Sequence, residues 1–177
     1  KMGGDEVTQE IAYAFDTSLE EAKRLKESYG SAKKIPQSDD EFIDFTQGSK
    51  ALHQLSSLDL SEVIEEAYLE IFQALKNELK HHNLDLIIKS GFVLCGGGSE
   101  IKSIEELIRG YFSKRVKIGK IQRSRISGLE TVLTDYKYTG SIGLLLHEGD
   151  LSKAKFIVSN GDKGVMGKLK KAIVGNF

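Results

Sequence analysis

Apolar residues recur along the first half of this chain mainly at helical spacing. Ile11, Ala12 and Phe15 predict a short helix over 8–15. Thr17-Ser18-Leu19-Glu20 has the form of a capping box, with Thr17 accepting from the backbone at Glu20 and the glutamate reaching back. It opens a second helix through Ala22, Leu25 and Tyr29, closed by Gly30 as a left-handed C-cap. The periodicity then lapses. Residues 31–60 read as polar and irregular, with an acidic patch at Asp39-Asp40-Glu41 and one strand over 41–45. From Ser61 the longest stripe begins: Ile64, Tyr68, Ile71, Phe72, Leu75 and Leu79 form one apolar face of a long helix ending at Lys80-His81-His82-Asn83.

The second half changes rhythm. Phe92-Val93-Leu94-Cys95 is a short apolar run stopped by Gly96-Gly97-Gly98, which predicts a buried strand with Cys95 as core filler. Ser103-Ile104-Glu105-Glu106 is a second capping box, and Ile104, Leu107, Ile108, Tyr111 and Phe112 form the buried face of its helix. Val116 to Ile118 predicts a strand. Thr139 to His147 predicts a small-residue helix packed closely through Gly140 and Gly143. No repeat is visible, and the alternation of helix and strand places the chain in the α/β class. After Gly149 the composition shifts: residues 151–162 read as linker, and residues 163–177 carry Lys163, Lys168, Lys170 and Lys171 with no acid.

Composition narrows the function. The 177 residues, 40% hydrophobic and 29% charged, suit one globular domain with room for a small insertion. Twenty-five basic residues against 26 acids give a net charge of −1, which argues against bulk nucleic-acid binding. A single cysteine excludes a disulfide framework or a cysteine-rich zinc site and is compatible with a reducing cytoplasm. No apolar run reaches the roughly 20 residues of a membrane span, and no signal peptide is expected at the start. Eighteen glycines against one proline point to backbone-geometry roles for glycine.

Three signals carry candidate chemistry. Gly96-Gly97-Gly98-Ser99 follows a strand and leads toward a helix, which suits either a close approach to a nucleotide or a plain tight turn; it lacks the Gly-Lys-Ser/Thr of a Walker loop. The helix from Glu20 to Tyr29 alternates acids and bases, the ordinary look of a solvated face. The final segment predicts an amphipathic cationic helix. Around its axis Met166, Leu169, Ile173 and Phe177 gather on one side, with Lys168 and Lys171 opposite. Such a helix lies on anionic lipid or docks back on its own domain. Four histidines lack metal-site spacing, and the adjacent His81 and His82 are not expected to share a helix face as ligands, so no metal site and no catalytic group are assigned. The basic run Lys114, Arg115, Lys117, Lys120, Arg123 and Arg125 reads as a solvated face or a protein contact.

In order, these stretches resemble the C-terminal part of FtsA, the actin-like protein family of bacterial cell division. Gly3-Gly4-Asp5-Glu6-Val7-Thr8-Gln9-Glu10-Ile11-Ala12 is similar to the family's GGxxVTxDIA stretch, and Leu19 to Gly30 to its EEAERLKxxYG helix. Ser61-Glu62-Val63-Ile64 resembles the start of its long helix, Gly91 to Ile101 the actin-family adenosine motif, and Gly140 to Leu145 the closing small-residue helix. Gly164-Val165-Met166-Gly167-Lys168-Leu169-Lys170 looks like its membrane-targeting helix.

The resemblance implies half of an actin-like (ribonuclease-H-like) fold. Residues 1–30 and 91–150 would form subdomain IIA, and 31–90 the inserted subdomain IIB, the docking site for the FtsZ tail. Gly96, Gly97 and Gly98 would pack on adenosine, with Lys26 near the base or ribose. Lys23 stands where the superfamily has a glutamate, and Glu20 or Glu21 could substitute. Lys50, Lys76 and Lys80 are the implied contacts for the FtsZ tail, because residues 31–90 hold eleven acids against six bases and only local lysines suit an acidic tail. The complete protein would bind ATP with Mg²⁺, polymerise, and tether FtsZ at the cytoplasmic face of the inner membrane with other divisome proteins. The phosphate loops of that fold are not found in this sequence, so the chain is expected to be a piece of such a protein, weak or inactive toward ATP alone. The rivals are half of another actin-superfamily ATPase, such as a pilus-assembly ATPase or a sugar kinase, and a nucleotide-free peripheral membrane protein.

Overall fold

A computed structural model describes residues 2–34, 41–48, 51–84, 90–121 and 130–150. The chain divides into two units, residues 1–144 and residues 145–177. Helix α1 spans Gly4–Ala14 and starts earlier than its apolar residues alone suggest. The Glu6 carboxylate accepts from the Gly3 amide at 2.8 Å, which caps the extra turn. Val7 and Ile11 are fully buried on its inner face.

Helix α2 spans Leu19–Tyr29, and its cap is shifted one residue from expectation. Ser18, not Thr17, is the N-cap, and its hydroxyl accepts from the Glu21 amide at 3.2 Å. The Thr17 hydroxyl instead donates to the Thr46 carbonyl at 2.5 Å, tying the helix entry to the neighbouring strand. Gly30 is not left-handed either, with φ −64° and ψ 140°. Its need for glycine is steric: a Cβ there would collide with the Lys26 carbonyl and stand 2.9 Å from Ile64 Cδ1.

Strands β1 (Phe42–Gln47) and β2 (Ala51–Ser56) pair antiparallel, with Ile43 opposite Leu55 and Phe45 opposite His53. Ile43, Phe45 and Leu55 face the core, while Phe42 and Leu52 point outward. The second strand lies in the stretch expected to be irregular. Its described positions bury only Leu55, too little alternation to reveal a strand in sequence. Helix α3 follows directly as Ser57–His81, four residues ahead of the expected start, because the Ser56 hydroxyl accepts from the amides of Leu58 and Asp59. Ile64, Tyr68 and Phe72 are buried, whereas Leu75 is 40% exposed as the helix runs past the core.

Strand β3 (Phe92–Leu94) pairs parallel with β4 (Val116–Ile118) around helix α4 (Ile104–Phe112). The expected burial of β3 is not observed: Val93 is 68% exposed and Cys95 is also exposed. Among the described residues this sheet has two strands, and helical cover lies on the side of Phe92, whose ring sits 4.7 Å from that of Phe112. The second capping box does not form, because Ser103 adopts a left-handed φ of 62° and its side chain makes no cap bond. Helix α5 (Glu130–Thr134) and a 3-10 turn at Tyr136–Tyr138 lead into helix α6 (Thr139–Asp150). The latter docks through Ile142, 5% exposed. Gly140 and Gly143 face open space rather than a close packing partner, correcting the sequence expectation.

One continuous core joins these pieces, running from Val7, Ile11 and Leu25 through Leu60, Ile64 and Phe72 to Leu107 and Ile108. Each such large side chain contributes about 1.5–3 kcal/mol by leaving water. The helices therefore hold α1, α2 and the residue 96–100 turn in fixed relation, and a cleft opens between them.

Candidate functional site

The cleft has a volume of about 1030 Å³. One wall is the start of α1, Gly3 and Gly4; a second is α2, through Lys23, Lys26 and Glu27; a third is the turn holding Gly97 and Gly98. This third wall is a short 3-10 helix, Gly97–Glu100, entered through Gly96 at φ +89°, a conformation open to glycine and costly for other residues. Ser99 is buried and locks the turn, its hydroxyl and amide both donating to the Gly96 carbonyl, at 2.7 and 3.0 Å.

The glycines leave room at the cleft surface. A Cβ on Gly98 would stand 3.6 Å from Tyr68 Oη and 3.9 Å from the Gly4 amide nitrogen; one on Gly97 would stand 3.7 Å from Lys137 Cβ. Tyr68 donates to the Gly98 carbonyl at 3.1 Å and so ties helix α3 to the turn. Tyr68 is 6% exposed, and loss of hydration pushes its pKa up to about 12.

Lys26 reaches across the cleft. Its Nζ donates to the Gly4 carbonyl at 2.6 Å and to Thr8 Oγ1 at 2.5 Å. Partial burial lowers its pKa from the ordinary 10.5, since the charged form loses water. Lys23 lines the same space from an exposed position and lies 3.9 Å from Glu27. On the remaining side the 3-10 turn before α6 presents Asp135 and Lys137, paired at 2.6 Å. Each holds the other charged, lowering the pKa of Asp135 and raising that of Lys137. Four lysines (23, 26, 102, 137) and five acids (5, 6, 27, 100, 135) line the cleft. That balance suits a polar, nearly neutral ligand part better than a concentrated negative charge.

Of the residues expected from sequence, Gly97, Gly98, Lys26 and Lys23 converge on this cleft, and Gly96 sets the turn behind it. Sequence reasoning missed Gly3 and Gly4 as walls, Tyr68 and the Asp135–Lys137 pair. The glycine pair before a helix was a usable signal, whereas Tyr68 read as part of the apolar stripe, and nothing in the sequence sets Asp135 and Lys137 apart. Lys76 and Lys80 sit near the far end of α3; Lys76 lies 5.2 Å from the Tyr111 ring centroid, and Lys80 is exposed. Lys50, Met166, Lys168, Leu169, Lys171, Ile173 and Phe177 fall outside the described residues.

A glycine-lined cleft between two helices and a strand-turn does not by itself name a family. The family model "Cell division protein FtsA" matches residues 1–143. The chain belongs to the FtsA family. It is 36% identical over 150 residues to the cell division protein FtsA of Buchnera aphidicola subsp. Acyrthosiphon pisum, covering 80% of this chain and 35% of that protein. To the FtsA of Pseudomonas aeruginosa it is 28% identical over 186 residues, covering 99% and 44%. To that of Escherichia coli K12 it is 29% identical over 155 residues, covering 80% and 35%. The chain thus spans between about a third and under half the length of these relatives. Among solved structures, MreB5 of Spiroplasma citri bound to ADP superposes with a TM-score of 0.61 at 20% identity, covering 85% of this chain and 45% of that one. The AMPPNP-bound form of the same protein gives 0.59. The mixed α/β arrangement is therefore part of an actin-like fold, as the FtsA resemblance implied.

Proposed function

We propose that this chain supplies the adenosine-side wall of an FtsA nucleotide cleft, within a protein that tethers FtsZ filaments to the cytoplasmic face of the inner membrane at the division site. The observation that carries the reading is the meeting of Gly97, Gly98, Gly4 and Lys26 around one cleft. Bare glycine backbone accepts a flat base and ribose at van der Waals distance, where a Cβ would intrude. Lys26 would turn from the Gly4 carbonyl toward the base or ribose, and Lys23 and Lys137 flank it. With lysines and acids nearly balanced, the lining fits adenosine and not a Mg²⁺-triphosphate, whose phosphate and metal contacts would come from elsewhere in the complete protein. ATP with Mg²⁺ would there supply the bridge between two halves of the cleft, and polymerisation would follow from that closed form.

The residue 31–90 region would be the inserted subdomain that takes the FtsZ tail, through Lys50, Lys76 and Lys80. Residues 163–177 would lie on anionic lipid. The MreB5 structures with ADP and AMPPNP support the nucleotide reading at the level of fold alone.

Gly97→Val in the complete protein tests the reading. Equilibrium ATP titration should show at least tenfold weaker binding, about 1.4 kcal/mol or more, with the circular dichroism spectrum unchanged. Unchanged affinity in a folded Gly97→Val protein removes the glycine turn from the nucleotide site. This chain alone should bind ATP weakly or not at all, and submicromolar affinity by calorimetry contradicts that.

A further inference from the structure

Helix α3 ends in a cluster that the cleft does not use. Glu78, His81 and His82 place one ligand atom each within 4.8 Å of one another. The Glu78 carboxylate is 3.6 Å from His82 Nε2, and the two imidazole rings stand edge to face with centroids 4.8 Å apart. All three residues are exposed. Adjacent histidines point about 100° apart on a helix, which is why the sequence alone argues against a shared ligand. Glu78 changes that geometry. It sits one turn earlier, so His81 at i+3 and His82 at i+4 straddle it by about 60° on one side and 40° on the other. His82 is moreover the C-cap, at φ −96° and ψ 7°, already leaving the helical path.

We propose that Glu78, His81 and His82 form a divalent transition-metal site at the C-terminus of α3. Two imidazoles and one carboxylate are the donor set of Zn²⁺ and its neighbours Co²⁺, Ni²⁺ and Cu²⁺; Mg²⁺ and Ca²⁺ prefer all-oxygen sites. A three-residue set leaves a fourth position for water or a donor from a partner. Bonds near 2 Å require the three side chains to close by a small rotation, which their exposure permits. The helix C-terminus adds the negative end of the macrodipole, which favours a cation there. This site is independent of the nucleotide reading and lies on a different part of α3 from Tyr68.

Zinc titration of this chain by calorimetry, with Co²⁺ absorption as a second readout of coordination, tests the proposal. One equivalent of Zn²⁺ should bind, and Co²⁺ should develop a visible band that Zn²⁺ removes. His81→Ala, His82→Ala and Glu78→Gln should each weaken Zn²⁺ binding by about tenfold or more, because two ligands hold a metal poorly. His53→Ala, remote from the cluster, should leave affinity unchanged. Thermal melting without metal should stay the same for the exposed variants, so lost binding reads on the ligands. The proposal fails if no saturable binding occurs, or if His81→Ala/His82→Ala binds Zn²⁺ as tightly as the parent.

Discussion

Gly30 shows how one missing methyl sets a packing distance. Backbone at φ −64° is open to any residue, so the demand for glycine comes from the Lys26 carbonyl and Ile64 Cδ1, which occupy the space a Cβ would take. Gly30→Ala should destabilise the chain by about 1–3 kcal/mol through overpacking, read as a lower urea midpoint at unchanged slope. Tyr68 acts at the same scale through one hydroxyl. Tyr68→Phe keeps the ring on Phe72 but strips the Gly98 carbonyl of its donor. The expected loss is about 1 kcal/mol in urea unfolding, with faster amide exchange at Ser99 as the turn loosens. Unchanged exchange there would mean Ser99 and Gly96 hold the turn without help from α3.

Between elements, α2 and β1 are joined by a small polar network rather than by apolar contact alone. Arg24 donates to both carboxylate oxygens of Glu21 at 2.8 Å and to the Asp44 carbonyl at 2.9 Å, while Glu21 accepts from the Thr46 amide at 3.3 Å. The Arg24 guanidinium, and next the Thr46 amide, hold the Glu21 carboxyl below its ordinary 4.5 despite partial desolvation. A carboxyl depressed in the fold binds its proton more readily in the unfolded chain. Its contribution is therefore complete above about pH 4.5 and is lost as pH falls through the lower folded value. Glu21→Gln should flatten that part of an acid-unfolding curve relative to the parent. A parent and a Glu21→Gln curve that stay parallel below pH 4.5 would show that the network adds nothing. Arg24 is largely solvated, so the effect is small and should shrink with added salt.

At the scale of the whole molecule, the proposed tether rests on residues 163–177. Each lysine near anionic lipid contributes on the order of 1 kcal/mol, and each large apolar side chain that inserts contributes roughly 1.5–3 kcal/mol. Ordering the helix opposes this by about 1 kcal/mol or more per residue. A single copy should bind weakly, and assembly into a polymer would strengthen attachment by avidity. In liposome co-sedimentation Leu169→Glu should abolish binding, and salt of about 0.5 M should weaken it. If deletion of residues 163–177 leaves lipid binding unchanged, the tether lies elsewhere. Among the described residues no helix is long and apolar enough to cross a membrane.

The sequence by itself determined the α/β class, the long helix and the glycine turn after β3. Those features follow from local periodicity and from glycine's backbone freedom, which are written in neighbouring residues. Tertiary structure alone decided the rest. Whether Ser18 or Thr17 caps α2 depended on Thr46, a residue 29 positions from Thr17. The second strand of the hairpin needed β1 beside it to become visible. Val93 and Cys95 looked like core because apolar runs usually are, and only the arrangement of helices on one side of β3 shows them exposed. Tyr68 and Lys137 reached the cleft by packing between elements far apart in the chain. A side chain's neighbours along the sequence set its backbone; its partners in space set its chemistry, and one sequence read alone contains the first and not the second.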